Sequence, residues 1–151
     1  MATTPQVYDP LRRKMVPLTP EERVRQWFIG VLHNDFGVPF EKMNSEVGMQ
    51  ALSPLQTLEG LEGAKEYRAD IVVYGRGARP VVIVECKRPE VPIDKEVAFQ
   101  AMRYDMVLGA RFLVLTNGDN TMILKRCDNP AEGFRKVVTL PSWEELRDCA
   151  L

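Results

Sequence analysis

Three charged side chains at the ends of two apolar segments are the strongest candidates for chemistry in this sequence. Asp70 begins one apolar run, and Glu85 and Lys87 follow another, VVIV. Side chains alternate along a β-strand, so we expect Glu85 and Lys87 to point to one side and Cys86 to the other. If residues 75–80 form a hairpin turn, Asp70 comes close to Glu85. Two converging carboxylates repel each other unless a divalent cation neutralises them, so the pattern indicates a metal site.

A helix with strong start signals is predicted on the N-terminal side of these strands. Thr19 suits the N-cap, Pro20 suits the first helical position, and Glu22 completes a capping box with Thr19. The helix is expected to end before Gly37. Apolar residues at the helical period give it one face for packing on a sheet: Val24, Trp27, Phe28, Val31 and Leu32.

The first turn of this helix carries two glutamates that lie on different sides of the helix. With 3.6 residues per turn, Glu21 lies about 60° from Val24 and Glu22 about 160°, so only Glu21 tends toward the buried side. A carboxylate at a helix N-terminus also stabilises the helix dipole. For either glutamate, the residues alone leave a structural role and metal contact equally open.

The two ends of the chain and the segment before Asp70 carry weaker signals. Residues 1–17 are rich in proline and polar residues and are expected to form an arm without regular structure. The basic run at 12–14 in that arm is either solvated or in contact with phosphate. A first strand is expected within 40–48, with Glu46 a candidate neighbour of the site, followed by an irregular loop or short helix at 49–63.

The remaining apolar patterns predict an α/β fold with a mixed sheet flanked by helices. Strands are predicted at 112–116, 122–125 and 136–140. A helix is predicted at 94–108, with Val97, Ala101, Tyr104 and Leu108 on its core face, and another from Ser142, capped by Ser142 and Glu145. We expect one domain at 1–151, made of the arm 1–17, a core at 18–127 and a C-terminal strand and helix at 128–151.

The acidic pair and the segments around it resemble a known family. Asp70, a spacer and Glu85-Cys86-Lys87 look like the PD-(D/E)XK nuclease signature, with Ala69 at the position of the usual proline. The flanking segments LTPEERVRQ, QAMRY and VLTNG, together with the two charged strands, resemble in the same order the N-terminal domain of type I restriction endonuclease R subunits and its stand-alone relatives. The resemblance extends over residues 8–126, except at 47–66, which looks longer than the family's first hairpin.

This resemblance implies a restriction-endonuclease-like core and metal-dependent cleavage of DNA. The expected catalytic residues are Asp70, Glu85, Lys87 and Gln100. Mg²⁺ or Mn²⁺ prefers oxygen ligands, and the expected ligands are Asp70, Glu85 and the backbone carbonyl of Cys86, with Glu21 or Glu22 as a further candidate. Lys87 is expected to orient or deprotonate the attacking water, or to stabilise the developing charge. The side chains expected to contact DNA are Arg68, Arg88, Arg103 and Tyr104.

Composition limits the class of protein. The chain has 151 residues, a net charge of −1, 45% hydrophobic and 27% charged residues, values that are typical of a single soluble domain. No apolar stretch reaches the ~20 residues of a membrane span, and the N-terminus lacks the order of a signal peptide, so we expect a cytoplasmic protein without membrane contact. Three cysteines without C-x-x-C spacing favour free thiols.

Three functions are open on the sequence alone. The first is a Mg²⁺-dependent DNA endonuclease domain in restriction, defence or DNA processing, with DNA and restriction or helicase subunits as partners. The second is a DNA- or partner-binding module of the same fold with little or no cleavage, which the acidic charge and the absence of a helicase motor favour. The third is a plain scaffold domain, which leaves the charged strand ends unexplained. Cutting both strands of a duplex would suit a homodimer.

Overall fold

The protein has a mixed α/β fold, as predicted. The computed structural model describes residues 4–48 and 68–151, and for 104–108 it describes the backbone alone. The strands are β1 Gln6–Asp9, β2 Lys14–Pro17, β3 Met43–Gly48, β4 Arg68–Tyr74, β5 Pro80–Cys86, β6 Phe112–Thr116, β7 Thr121–Arg126 and β8 Phe134–Val137. The helices are α1 Pro20–Asn34, α2 Lys95–Leu108 and the short α3 Trp143–Leu146. Within these described ranges, none of the helices is long and apolar enough to cross a bilayer.

Strands β3 to β8 form one six-stranded sheet in which each strand pairs with the next along the chain. The pairing is antiparallel except between β5 and β6, where Val84 lies opposite Val114 in parallel register. A parallel pair needs a long crossover, and α2 supplies it. This crossover ends at Gly109, whose φ of +73° is a left-handed conformation that favours glycine. The predicted mixed sheet is therefore confirmed, and most of its pairing is antiparallel.

The sheet is covered by apolar side chains on both faces. Helix α1 packs on the face that carries Val82, Val84 and Cys86, whereas α2 packs on the face that carries Ile83. Burial on both faces explains why residues 81–84 form a continuous β-branched run. Cys86 thus lies in the core under α1, as the predicted alternation along β5 requires.

Helix α1 begins as predicted, but its first turn is buried differently. The Thr19 side chain accepts a hydrogen bond from the Glu22 N–H at 3.1 Å, which is one half of the predicted capping box. The Glu22 side chain binds arginines instead of returning to Thr19. Glu22 is 7% exposed and Glu21 is only half-buried, so the helical-wheel prediction for this pair is wrong. That prediction considered the sheet alone, whereas the N-terminal residues cover the other flank of the helix.

The predicted unstructured arm is a β-hairpin. Strands β1 and β2 pair from Gln6 opposite Pro17 to Asp9 opposite Lys14. Val16 is buried, and Leu11 packs against the core under α1. Four-residue strands with proline and charged residues give little periodicity, which is why the sequence pattern did not indicate them. Arg12, predicted to be solvated or on phosphate, is instead paired with carboxylates.

Three smaller predictions differ from the structure. Trp27, placed on the core face of α1, is 47% exposed because it lies at the edge of that face. The last strand is Phe134–Val137 and not 136–140, because its register is set by pairing with β7. Ser142 precedes α3, yet its side chain makes no cap hydrogen bond. The loop or short helix expected at 49–63 lies outside the described residues.

Candidate active site

Asp70 and Glu85 lie at the same end of two antiparallel strands. Asp70 is near the beginning of β4 and Glu85 is near the end of β5, directly after the pair formed by Ile71 and Val84. The Cys86 N–H donates a hydrogen bond to Asp70 Oδ2 at 2.7 Å. The backbone between Glu85 and Lys87 is therefore attached to Asp70, so the strand ends that carry the three predicted residues are adjacent.

Lys87 lies on the same side of its strand as Glu85. Its Nζ is 3.5 Å from Glu85 Oε2, and the lysine side chain is 34% exposed while that of Glu85 is 12% exposed. The Lys87 N–H donates to the Thr116 carbonyl at 2.8 Å, which fixes the lysine to β6. Lys87 is thus paired with a mostly buried carboxylate, while its own side chain remains partly exposed to solvent.

Arg25 of α1 is a member of this site that sequence reasoning missed. Its Nη2 donates to Asp70 Oδ1 at 2.9 Å, and its Nη1 lies 3.2 Å from both Glu22 Oε1 and Glu46 Oε1. The side chain is 7% exposed. Glu46, a candidate neighbour of the site, is therefore brought to it through a shared arginine. The only sequence signal for Arg25 was a cation three residues after Glu22 on the flank of the apolar face.

Burial changes the acid–base properties of the site. Burial raises the pKa of Asp70 above its ordinary value, and the Cys86 hydrogen bond and the positive charges of Arg25 and Lys87 offset part of that rise. Burial likewise raises the pKa of the Cys86 thiol well above its usual range, and the Asp70 charge adds to that effect. Cys86 is thus a neutral core side chain.

The N-terminal hairpin extends the network of charges away from Asp70. Arg12 pairs with Asp9, with Glu22 at 2.6 Å and with Glu46 at 3.6 Å. Two arginines, Arg12 and Arg25, therefore share Glu22 and Glu46. A cleft of about 440 Å³ opens beside these side chains, between the hairpin and the first turn of α1.

The structure distinguishes Glu21 from Glu22, for which the sequence left both a structural role and metal contact open. The carboxylate oxygens of Glu22 accept hydrogen bonds from Arg12, Arg25 and Gln26. Burial raises the pKa of Glu21, and the charge of Asp70 adds to the rise while Arg25 and Lys87 oppose it. Glu21 is thus within electrostatic reach of Asp70 and Lys87, and it is the glutamate of α1 better placed for this site.

The described residues offer the ligand type that a divalent cation prefers. Asp9, Glu22, Glu46 and Asp70 are joined by ion pairs with Arg12 and Arg25, and Glu85 is paired with Lys87. All of these carboxylates are the oxygen ligands that Mg²⁺ prefers. Within residues 4–48 and 68–151, no group of three or more aspartate, glutamate, histidine or cysteine side chains is placed to hold a metal ion. Because Mg²⁺ retains waters, two carboxylates and a backbone carbonyl suffice.

The other predicted site residues lie on the surface or outside the description. Gln100 is exposed on α2. Arg103 is exposed on the same helix. Two further arginines were predicted to contact DNA. Arg88 Nε lies 3.7 Å from Glu90 Oε2, and the exposed Arg68 donates through Nη1 to the Glu46 carbonyl at 3.1 Å. The Tyr104 side chain lies outside the described residues.

Asn117 fixes the loop that follows β6, the strand that pairs with β5. It is 3% exposed, and its Nδ2 donates to the Val91 carbonyl at 2.8 Å. Its Oδ1 accepts from the N–H groups of Asp119 and Asn120 at 2.9 and 2.7 Å. One side chain thus joins the predicted β6–β7 turn to the segment after Lys87, a contact that a turn prediction alone does not reveal.

The sequence that forms these elements matches a described protein family. Residues 20–141 match the family model of the type I restriction enzyme R protein N terminus (HSDR_N). The chain belongs to this family. Among solved structures, the HSDR_N domain is similar to a fragment assigned to the HsdR subunit of a type I restriction enzyme from Vibrio vulnificus YJ016, with 28% identity and a TM-score of 0.39. That match covers 54% of this chain and 15% of the other. Curated proteins give no significant match.

Proposed function

We propose that this HSDR_N domain is a metal-dependent DNA endonuclease of a restriction system, with DNA and other restriction subunits as its partners. The observation that supports the proposal is the attachment of the Glu85–Lys87 strand end to Asp70 through the Cys86 N–H. It makes adjacent the strand ends that carry two carboxylates and a lysine, and phosphodiester hydrolysis with a divalent cation uses such a set. Membership of the family supports the restriction context.

Each residue has a role that follows from its position. Asp70, Glu85 and the Cys86 carbonyl would hold Mg²⁺ or Mn²⁺, and Glu21 is the further candidate ligand because the oxygens of Glu22 are occupied. When bound, the ion would relieve negative charge at the scissile phosphate and lower the pKa of a water.

Lys87 would orient that water or take its proton, or stabilise charge on the phosphate. Its partial exposure and its pairing with Glu85 suit orienting the water and stabilising charge, because both use the ammonium form, whereas taking a proton requires the neutral amine. Gln100 would line the same cleft. Three exposed arginines and one tyrosine would contact the DNA backbone: Arg68, Arg88, Arg103 and Tyr104.

A second function is favoured by one specific observation. Asp70 is already paired with Arg25, and Glu85 with Lys87, so protein cations neutralise both carboxylates. A domain that binds DNA or a partner and cleaves little would have the same pairs. A homodimer, which would suit cutting of both strands, stays a prediction.

Cleavage and binding measured in parallel separate the two functions. A labelled duplex and a labelled single strand are incubated with excess protein in Mg²⁺ or Mn²⁺, and DNA binding is followed by fluorescence anisotropy. The endonuclease proposal predicts cleavage by the wild type that is lost in Asp70→Asn and Glu85→Gln and kept in the surface control Asp148→Asn. Binding without cleavage in the wild type supports the second function. Cleavage that persists in both site variants contradicts the proposed site.

A further inference from the structure

Arg25 binds the carboxylate at which the proposed function places a metal. Its guanidinium lies 2.9 Å from Asp70 Oδ1, and the other Asp70 oxygen accepts from Cys86. A guanidinium and a divalent cation on one carboxylate repel each other strongly at the short separation that the carboxylate imposes. Full occupation of Asp70 by both cations is therefore unfavourable.

We propose that Arg25 is a resident counter-cation of Asp70 that gives up this carboxylate when a divalent cation binds, while it keeps its contacts with Glu22 and Glu46. The inference rests on the proposed function, because it requires a metal at Asp70. It assigns to Arg25 control over metal affinity, a role that is separate from DNA contact and from the chemical step.

The hydrogen bonding of Arg25 allows this exchange. Its Nε is buried and has no hydrogen-bond partner among the described residues. A buried donor without an acceptor is unfavourable, so the observed position does not satisfy the whole guanidinium. A shift away from Asp70 would lose one hydrogen bond and would give Nε access to water or to a carboxylate.

The surroundings of Arg25 can receive the displaced charge. Its Nη1 already lies 3.2 Å from Glu22 and from Glu46. Arg12 is the other arginine on these two glutamates, so two carboxylates remain to balance two cations after Asp70 is released. The adjoining cleft of about 440 Å³ provides room for the movement.

The exchange also involves the N-terminal hairpin. Arg12 is held by Asp9 of β1 and shares both glutamates with Arg25. When Arg25 turns fully toward Glu22 and Glu46, it competes with Arg12 for the same oxygens. We therefore expect metal binding at Asp70 to change the environment of Arg12 as well.

Calorimetric titration with Mn²⁺ tests the proposal, using wild type, Arg25→Met and Arg23→Met. Arg23→Met is the control, because it removes one positive charge from an exposed position of the same helix without touching Asp70. We expect Arg25→Met to bind Mn²⁺ on the order of tenfold more tightly than the wild type, equivalent to about 1.4 kcal/mol, and Arg23→Met to change affinity by less than about threefold. Weaker or equal binding in Arg25→Met, or an equal gain in Arg23→Met, overturns the proposal.

A second measurement needs no arginine variant. In ¹⁵N spectra of the arginine Nε–H groups, addition of Mg²⁺ to the wild type should shift the Arg25 signal and leave that of exposed Arg23 unchanged, and Asp70→Asn should abolish the shift. An Arg25 signal that stays fixed while Mg²⁺ binds overturns the proposal and leaves the nuclease function intact. Absence of Asp70-dependent metal binding in every variant, Arg25→Met included, overturns both.

Discussion

The Cys86 N–H and the Asp70 carboxylate are joined by a hydrogen bond of 2.7 Å. The residue between Glu85 and Lys87 is thereby attached to the third member of the predicted site. Asp70 also accepts from Arg25, and the two side chains are 14% and 7% exposed. Asp70 is consequently a structural residue of the strand ends as well as a candidate ligand. Its removal should therefore change stability as well as metal binding.

Removal of Asp70 should lower stability when no metal is present. Asp70→Ala leaves the buried Arg25 charge short of a partner, so we expect the free energy of unfolding to fall by about 2–4 kcal/mol in metal-free buffer. Urea denaturation measures this change. The control Asp148→Asn breaks an exposed pair with Arg76 and should cost less than about 0.5 kcal/mol. A variant as stable as the wild type would indicate that Asp70 and Glu85 repel each other more than Arg25 stabilises them.

Lys87 is expected to act in the chemical step. Lys87→Ala should still bind Mg²⁺ and DNA and should cleave about 10²- to 10⁴-fold more slowly, the usual effect of losing a positioned proton-transfer group. Lys87→Arg should not restore proton transfer, because guanidinium stays protonated, so partial rescue would favour electrostatic stabilisation. Single-turnover cleavage at saturating Mg²⁺ measures the rates, with the exposed Lys95→Ala as control. Full activity of Lys87→Ala would contradict the mechanism.

Gln100 offers a test in which stability and activity separate clearly. Its side chain is exposed on α2, so Gln100→Ala should change the free energy of unfolding by less than about 0.5 kcal/mol. If it lines the cleft, the cleavage rate should fall by up to about 10²-fold, the scale expected when a positioning contact is lost. Glu96→Ala, exposed on the same helix, controls for general effects. An unchanged rate would make Gln100 an ordinary surface residue.

Asp9 should make stability depend on pH in the acid range. Burial alone would raise its pKa, but hydrogen bonds from Arg12 and from the Leu11 N–H, with the charge of Arg12, outweigh burial and lower the pKa below its ordinary value. The stabilisation is therefore complete above the pKa of the unfolded chain, about 4, and is lost as the pH falls through the lower pKa of the folded state.

Asp9→Asn measures that contribution. At pH 7 it should lower the free energy of unfolding by about 2 kcal/mol, because asparagine keeps one acceptor oxygen for the Leu11 N–H but replaces the oxygen that binds Arg12 with an amide NH₂ and removes the negative charge. The difference from the wild type should shrink below about pH 4. The control Asp128→Asn, whose side chain is 98% exposed, should show little difference at either pH. A deficit that is independent of pH would assign the role of Asp9 to shape and not to charge.

Gly75 is required by a close approach between two parts of the backbone. A Cβ added there would lie 2.6 Å from the Arg147 carbonyl oxygen and 2.7 Å from Val81 Cγ1. Gly75→Ala should therefore lower the free energy of unfolding by about 1–3 kcal/mol, as overpacking does. Gly48→Ala, where an added Cβ meets no atom of the described residues within 4 Å, is the control and should remain close to the wild type. Equal melting temperatures for both variants would show that the C-terminal segment yields easily.

Local pattern was sufficient for the elements that carry their own signal. The buried runs of β5 and β6 are apolar on both faces, and the start of α1 is marked by Thr19 and Pro20, so these elements were predictable. The adjacency of the strand ends that carry Asp70, Glu85 and Lys87 was predictable as well, because the hairpin of β4 and β5 fixes it. The metal ligands, catalytic roles and DNA contacts stay predictions.

Contacts between distant segments explain what the sequence did not reveal. Arg25 is buried by Asp70, which is 45 residues away, and no period in α1 marks a cation for burial. The buried position of Glu22 depends on Arg12, whose own strand pair is too short to have a pattern. Arg25 and Glu22, whose burial the sequence did not predict, are therefore both polar residues whose burial depends on a partner elsewhere in the chain.

The sequential order of the six-stranded sheet has a consequence for how the site forms. Asp70 and Glu85 are joined by a five-residue turn between β4 and β5, and hairpins of this kind form in about 1–10 μs. Arg25 must close a loop of 45 residues to reach the same place, which costs more chain entropy. We therefore expect the two carboxylates to become neighbours before their arginine arrives. The contact between Arg25 and Asp70 then belongs to the late part of folding, where it slows unfolding more than it speeds folding.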